Sequence, residues 1–145
     1  MEKLHFSSTI NAPIQKVWDI LWADETYRQW TAAFSEGSYA ESDWKEGSRI
    51  VFLGPSGDGM LARIAEKREP NYMGFEHLGM INNGVEDTTS DKVKDWAGAR
   101  ENYSLSESNG QTTVAVDMDI TEEYKDMFSN MWPKALEKLK EISEK

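Results

Sequence analysis

The sequence predicts an α+β fold in which a curved antiparallel sheet of six to seven strands packs against one long C-terminal helix. Three observations support this prediction. An alternating strand at residues 4–10 meets Pro13, and helical spacing begins directly after it. Strand-like segments separated by turn residues occupy most of residues 38–120. From Thr121 to the last residue, the apolar side chains recur with a helical period.

The segment Asn11–Trp18 marks the change from the first strand to the first helix. Pro13 lacks the N–H that a first helical turn leaves unpaired, and its fixed φ suits a helix start. Val17 and Leu21 follow at helical spacing and give the helix an apolar face. We therefore expect a short helix to begin at Pro13.

A second short helix is predicted for residues 24–31. Asp24 has the residue type of an N-cap, because its carboxylate accepts hydrogen bonds from the free N–H groups of a first turn. Tyr27 and Trp30 are three residues apart and share one face. Two short helices are thus expected after the first strand.

Glycine, proline and asparagine divide the middle of the chain into strands. Asn109-Gly110 is the strongest turn signal, since this dipeptide tolerates positive φ at both turn positions. Residues 85–95 are acidic and polar without a clear period, and they are predicted as a loop that accommodates a helical turn. The predicted strands of this region cover residues 38–42, 49–53, 60–68, 72–78, 96–107 and 111–120.

The last predicted element is a long helix that starts near Thr121. One apolar stripe runs along it, with Lys and Glu on the remaining surface. Pro133 cannot donate to the carbonyl of Ser129, so we expect the helix to bend there and curve over the sheet. The stripe consists of Tyr124, Met127, Phe128, Met131, Ala135, Leu136, Leu139 and Ile142.

Length and composition indicate one domain, residues 1–145, with a bulky core. The chain has six Trp and seven Met but no Cys, which excludes disulfides and thiolate chemistry. Its formal net charge of −10 opposes binding to nucleic acid and to anionic membranes. It shows no signal segment and no membrane-spanning run. We therefore expect a cytoplasmic protein without a nucleic-acid partner and without membrane insertion.

A series of short motifs extends along nearly the whole chain: Asn11-Ala12-Pro13, Val17-Trp18, Trp30, Gly47 before an apolar strand, Gly59, Glu66 and Pro70. In this order and spacing, the motifs resemble the START-like (SRPBCC) superfamily, and within it the branch named after the activator of heat-shock-chaperone ATPase. The resemblance implies the helix-grip fold, in which a curved sheet wraps a long C-terminal helix and two short helices close one end. It also implies an apolar cavity between sheet and helix. Members of the superfamily bind lipids, hormones or polyketides, catalyse cyclisation or hydroxylation, or regulate a chaperone.

The implied cavity leads to a set of candidate ligand-binding residues. Met127, Phe128 and Met131 lie on the helix stripe, where flexible Met side chains adapt to varied apolar shapes. The same stripe also fits ordinary core packing, with Trp132 shielding its edge. The candidates are Trp30, Phe52, Ile64, Phe75, His77, Glu101, Tyr103, Met118, Met127, Phe128 and Met131.

The polar candidates follow from strand alternation. Phe75 and His77 share one face of the strand 72–78, and Glu101 and Tyr103 share one face of a neighbouring strand. If both faces point inward, the three polar side chains meet in the cavity, where a few convergent polar groups orient a ligand. A His on an apolar face is also commonly a hydrogen-bonded core residue, and this alternative stays open.

The remaining patterns predict no metal ion, no cofactor and no catalytic residue. Asp87, Asp91 and Asp95 recur at four-residue intervals, and Asp117 and Asp119 share a strand face. Neither group has the loop spacing of a calcium motif, so both are interpreted as solvated acidic surface. The two histidines lack zinc spacing, and no nucleophile motif occurs.

Three functions are compatible with these predictions. The leading hypothesis is binding of an apolar, aromatic or lipid-like small molecule between sheet and helix. The second, which rests on the resemblance, is a module that interacts with a chaperone or another protein. The third is a cofactor-free cyclase or hydrolase that uses His77 and Glu101 in general acid–base chemistry. A cavity of a few hundred cubic ångströms favours the first and third over the second.

Overall fold

The computed structural model describes residues 1–145 and contains one antiparallel sheet, four α-helices and a short 3-10 helix. The strands are β1 (Glu2–Ile10), β2 (Tyr39–Glu41), β3 (Arg49–Leu53), β4 (Gly59–Arg68), β5 (Tyr72–Asn82), β6 (Val85–Asp87), β7 (Arg100–Ser108) and β8 (Gln111–Ile120). The helices are α1 (Ile14–Trp22), α2 (Asp24–Trp30), the 3-10 helix Thr31–Ala33, α3 (Asp91–Lys94) and α4 (Glu122–Ser143). This arrangement confirms the predicted α+β helix-grip fold.

The sheet has the strand order β1-β8-β7-β5-β4-β3-β2, and β6 pairs with the end of β5. Every pair is antiparallel. α4 packs across β1, and α1 and α2 pack against α4. The space between sheet and α4 is therefore bounded by the two short helices, as the fold class predicts.

The tightest turn has the geometry that its residues favour. Asn109 and Gly110 join β7 to β8 with φ of +54° and +78°, the left-handed values that an Asn-Gly hairpin turn requires. Gly47 precedes β3 with φ of +87°, where a side chain would strain the backbone.

The first turn of α2 differs from the prediction. Ala23, with extended backbone, occupies the N-cap position, and no side chain caps the helix. Asp24 is instead the first helical residue, and both of its carboxylate oxygens accept from Arg28 Nε at 3.0 Å. The prediction of Asp24 as the cap was wrong because the i, i+4 partner Arg28 holds the carboxylate on the helix surface.

Residues 85–95 contain more regular structure than the predicted loop. Asn83 and Gly84 adopt φ of +52° and +77° and fold the chain back, so that Val85–Asp87 pairs with the extended end of β5. The helical turn is present as α3, whose N-cap Ser90 accepts from the N–H of Val93. The sequence lacked a strand period here because β6 has only three residues.

The packed core occupies the end of the sheet that α1 covers. Trp18 and Trp22 of α1 are buried there together with Leu136 and Leu139 of α4. The Trp22 ring lies edge-on to Phe75, with ring centroids 5.5 Å apart. Aromatic pairs of this kind add stability beyond the area that they bury.

The inward face of α4 is rotated relative to the predicted stripe. Trp132, Leu136 and Leu139 are buried, whereas Met127 is 42% exposed and Met131 is half-buried. Successive helical residues are about 100° apart, which places the three buried residues within about 60° of one another, Met131 about 100° from Trp132 and Met127 about 140° from it. Trp132, expected at the edge, therefore lies at the centre of the buried face.

None of the helices, α4 included, combines the length and the apolar composition that a membrane span needs.

The corner between β1 and α1 is held by the ends of two distant elements. The Asn11 N–H donates to Glu144 Oε2 at 2.9 Å, and the Thr112 hydroxyl donates to the Ala12 carbonyl at 2.8 Å. The Asn11 N–H, followed by the Lys140 side chain, lowers the pKa of Glu144. Pro13 is the N-cap of α1, so this junction joins strand, helix start and C-terminus in one place.

Candidate ligand cavity

A cavity of about 710 Å³ lies between the sheet and the N-terminal half of α4. It is partly enclosed, and 16 of its 28 lining residues are hydrophobic. Ordinary protein interiors contain few voids larger than a water molecule. Pockets for small molecules usually measure about 300–1,000 Å³ and have mostly apolar walls. The volume and lining of this cavity are therefore those of a small-molecule site.

A β-bulge determines which β5 residues face the cavity. Leu61 pairs with Gly79 and Ala62 pairs with His77, so Leu78 is an extra residue on β5. Without the bulge, alternation would point Gly79 inward. With it, Met80 lines the cavity while Leu78 packs with a small cluster formed by Val51, Leu61 and Ile81. A bulge typically re-aims side chains in this way.

Three polar side chains meet inside the cavity, as strand alternation predicted. Glu101 pairs with Phe75 across β5 and β7, which makes His77 its diagonal neighbour on the same face. His77 Nε2 lies 3.1 Å from Glu101 Oε1, and the Tyr103 hydroxyl donates to Glu101 Oε2 at 2.5 Å. The side chains of His77 and Glu101 are only 12% and 17% exposed. We call these three residues the polar cluster.

The Tyr103 ring is held in place by two tryptophans. Its centroid lies 4.9 Å from that of Trp22 and 5.9 Å from that of Trp132. The Trp132 Nε1–H is directed at Met118 Sδ, 2.9 Å away, which also orients this indole. Rigid neighbours on both sides keep the Tyr103 hydroxyl aimed at Glu101.

Two buried tyrosines remain hydroxyl donors over the whole neutral range. Burial, followed by the charge and the hydrogen bond of Glu101, raises the pKa of Tyr103 well above its usual value. Burial and, secondarily, the charge of Glu101 also raise the pKa of Tyr27, which lines the same cavity. Both phenols therefore stay protonated beside the carboxylate.

The hydrogen bonds of His77 indicate which ring nitrogen faces the carboxylate and carries a proton. Its Nδ1 is buried and has no hydrogen-bond partner, while Nε2 faces Glu101. The Glu101 carboxylate only accepts, so a proton must lie on Nε2, and His77 donates it to Oε1. Glu101 therefore receives two side-chain donors, the imidazole Nε2–H and the Tyr103 hydroxyl, and no Lys or Arg.

The structure separates the predicted site residues into two groups. Seven of them line the cavity: Phe52, His77, Glu101, Tyr103, Met118, Met127 and Phe128. Trp30, Ile64 and Phe75 belong to the packed core instead. Met131 is half-buried and is not among the lining residues, because it lies on the flank of α4.

Several lining residues were not among the candidates. Tyr27, Met60, Met80, Trp96 and Trp132 all line the cavity. A face shared by Tyr27 and Trp30 was visible in the sequence, and Met60 follows the inward alternation of its strand. No local signal marked Met80 or Trp96, since their positions depend on the bulge at β5 and on the fold of residues 85–99.

The acidic residues considered as metal ligands have partners within the protein. Asp87 accepts from the N–H groups of Thr89 and Ser90 at 3.2 and 3.0 Å, and its pKa is lowered first by the Ser90 side chain. Asp117 bonds His5, and Asp119 accepts from the N–H of Arg100 at 3.0 Å. These contacts fit structural roles at a turn and on the sheet surface.

Comparison with known proteins agrees with the fold. The sequence model of the family described as Activator of Hsp90 ATPase homolog 1-like protein matches residues 11–144. No curated protein matches the chain.

Several solved structures have the same fold at low identity. The Aha1 dimer from Colwellia psychrerythraea superposes with a TM-score of 0.75 at 17% identity, over 99% of this chain and 97% of that chain. A Cytophaga hutchinsonii protein gives 0.71 at 23% identity, over 98% and 93%. DynU16, from the dynemicin biosynthetic locus, gives 0.70 at 12% identity, over 97% of this chain and 46% of that chain. The protein belongs to the Activator of Hsp90 ATPase homolog 1-like family, a branch of the START-like superfamily.

Proposed function

We propose that the protein binds an apolar or aromatic small molecule in the cavity between the sheet and α4. The observation that carries this proposal is the polar cluster, which stands inside walls that are otherwise mainly apolar. A buried carboxylate is costly unless it is hydrogen-bonded, and an ordinary core would place an apolar residue at position 101. Polar groups that converge in an apolar cavity are what fixes the orientation of a bound molecule.

The helix that borders the cavity supports the same function. Met127 is 42% exposed and Phe128 is half-buried, although both are large apolar residues. Such side chains lose contact with water when a ligand enters, and that burial favours binding. Met127 in addition adapts its shape to different ligands, because its side chain is flexible and polarizable.

Native mass spectrometry of the protein purified from its own source tests the proposal. We expect a stoichiometric adduct of a few hundred daltons that survives buffer exchange and disappears on denaturation. Recombinant protein exposed to an extract of the same cells provides the second arm. Its repeated failure to acquire any adduct, together with an empty cavity in the native sample, would contradict the proposal.

The second candidate function is an interaction with a chaperone ATPase. The observation that favours it is the family match itself, since the family description names an activator of Hsp90 ATPase. A pull-down with the chaperone of the same cells, followed by an ATPase assay, tests this candidate. The assay compares the unmodified protein with Met60→Trp, which fills the cavity. Equal stimulation of the ATPase by both would assign this function to the protein surface rather than to the cavity.

A further inference from the structure

We infer that the ligand is an amine and that Glu101 is the counter-ion of its ammonium group inside the cavity. This inference rests on the proposed function and adds the charge and chemical class of the ligand. It follows from the distribution of charge over the cavity wall and from the hydrogen bonds that the polar cluster leaves unfilled.

Of the three lining carboxylates, Glu101 alone has neither a Lys or Arg nor a backbone N–H as a partner; it accepts from the side chains of His77 and Tyr103. Asp119 forms an ion pair with Lys3 and accepts from the N–H of Arg100. Asp58 accepts from the N–H of Asn83 at 2.8 Å and belongs to the exposed turn between β3 and β4. Lys92 is the sole Lys or Arg among the lining residues, and it is exposed at the rim. The interior of the cavity therefore holds a carboxylate without a Lys or Arg beside it.

The hydrogen-bonding capacity of Glu101 also points to a donor on the ligand. Oε1 receives His77 Nε2, and Oε2 receives the Tyr103 hydroxyl. A carboxylate has about four acceptor sites, so each oxygen retains one. The side chain is 17% exposed, and His77, Glu101 and Tyr103 all line the cavity. An ammonium group has N–H donors for these free positions and a positive charge that no Lys or Arg supplies inside the cavity.

The cavity wall suits a cation for a second, independent reason. Nine of the 28 lining residues are Phe, Tyr or Trp. The faces of aromatic rings attract cations, and the attraction increases when the cation is removed from water. Tyr103 and Phe52 belong to this aromatic wall beside the polar cluster: the Tyr103 hydroxyl donates to Glu101, and the Phe52 ring is 5.9 Å from the His77 ring.

Ligands of other charge fit less well. A carboxylic acid would place a second carboxylate beside Glu101, and one of the two would have to take up a proton. A neutral alcohol would fill the cavity and hydrogen-bond to Glu101 but would leave its charge unbalanced. The inference therefore orders three ligands of one shape: the amine binds most tightly, the alcohol less tightly and the acid most weakly.

Three matched probes test this order: anthracenylmethylamine, anthracenylmethanol and anthraceneacetate. They share one fluorescent apolar ring system and differ in charge at neutral pH. Fluorescence anisotropy of each probe titrated with the full-length protein yields its dissociation constant. We expect the amine to bind at least tenfold more tightly than the alcohol and the acid to bind more weakly than the alcohol.

Glu101→Gln removes the charge at constant side-chain shape and keeps an acceptor for Tyr103. We expect it to reduce amine affinity at least tenfold and alcohol affinity less than threefold. Glu137→Gln is the matched control, since it removes one carboxylate from the exposed surface of α4. If both variants weaken the amine equally, the preference comes from the net charge of the chain and the inference is overturned.

A salt titration of the unmodified protein keeps the test decisive if Glu101→Gln does not fold. Salt screens exposed charges strongly and buried pairs much less, so we expect the amine-to-alcohol ratio to persist in concentrated NaCl. Its loss overturns the inference. Equal binding of all three probes also overturns it but leaves the proposed function standing. Absence of binding by all three contradicts the proposed function and the inference together.

Discussion

The two halves of α4 face the same sheet, yet one half is core and the other borders a cavity. In the C-terminal half, Leu136 and Leu139 are buried at 4% and 0% exposure. In the N-terminal half, Tyr124 and Phe128 are half-buried and Met127 is exposed. Both halves carry large apolar residues at helical spacing, so the helix sequence alone does not account for the difference.

The difference comes from what the other elements place between helix and sheet. α1 packs against α4 and places Trp18 and Trp22 in the same buried cluster as Leu136 and Leu139, where these large rings occupy volume between helix and sheet. At the other end, the 3-10 helix and the segment around α3 contribute residues only to the wall and rim, among them Phe34 and Trp96. The cavity therefore lies beyond the volume that the α1 rings occupy.

The largest expected effect of a single substitution is at the packed end. Leu139→Ala removes a fully buried side chain and should lower the free energy of unfolding by about 2–5 kcal/mol. Met127→Ala, on the same helix at the cavity rim, should change it by less than about 0.5 kcal/mol. Urea denaturation of both variants measures the contrast. Similar losses in both would mean that the two halves of α4 are packed alike.

A substitution that fills the cavity should remove the difference in packing between the two halves of α4. Met60 points into the cavity from β4. Met60→Trp would place an indole ring in this space, as Trp22 does at the packed end. We expect affinity for anthracenylmethanol to fall about tenfold or more, while the free energy of unfolding changes by about 1 kcal/mol or less. Fluorescence anisotropy and urea denaturation measure the two quantities. Unchanged affinity would show that the probe binds elsewhere.

The polar cluster should make stability depend on alkaline pH. The pKa of Tyr103 is higher in the folded protein than its unfolded value of about 10. Its contribution is therefore complete below pH 10 and is lost as the pH rises further, by up to about 1.4 kcal/mol per pH unit. Tyr103→Phe should reduce the decline of the unfolding free energy between pH 10 and 11 by about 1 kcal/mol, because the unfolded phenol is only half ionised at pH 10.

Tyr72→Phe is the control for this pH experiment, because Tyr72 is only half-buried. We expect the control to retain the alkaline slope of the unmodified protein. Chemical denaturation at a series of pH values yields both slopes. A Tyr103→Phe slope equal to that of the control would mean that the phenol becomes solvated before it ionises.

The smallest expected effect is the difference in ligand affinity between substitutions of the two histidines. His77 bonds Glu101 in the cavity, while His5 bonds Asp117 on the exposed surface of β1. His77→Ala should weaken anthracenylmethanol binding by roughly threefold to tenfold, the value of one hydrogen bond, and should affect affinity more than stability. His5→Ala should leave affinity unchanged. Calorimetric titration of both variants measures this, and equal affinities would remove His77 from the site.

Much of the fold was predictable because its signals are local. The bounds of β3 agree with the prediction residue for residue, since its apolar run ends at strong turn residues. Asn109-Gly110 predicted its hairpin because few other dipeptides accept positive φ twice. β6 was missed because three residues are too few to establish a period. The prediction of Asp24 as an N-cap was wrong because its carboxylate accepts from Arg28 instead of from the N–H groups of the first turn.

The candidate site was predictable in part, for a related reason. Alternation correctly placed His77, Glu101 and Tyr103 on inward faces, because the period of a strand is two whatever its neighbours. Met80 was missed since the bulge at Leu78 interrupts that period. Met131 was included because a stripe read from sequence is wider than the face that α4 buries.

The sequence by itself determined the order of the longer elements, the β1–α1 junction and the direction of strand residues away from the β5 bulge, since these depend on φ, ψ and short-range periodicity. Only the tertiary structure decided the strand register that brings Glu101 to His77, and the division of α4 between core and cavity. Both depend on volume and hydrogen bonds supplied by residues far away in the chain, such as Trp22 and Tyr103. Apolar spacing shows which residues turn inward, but whether they meet other side chains or an enclosed space is settled by packing.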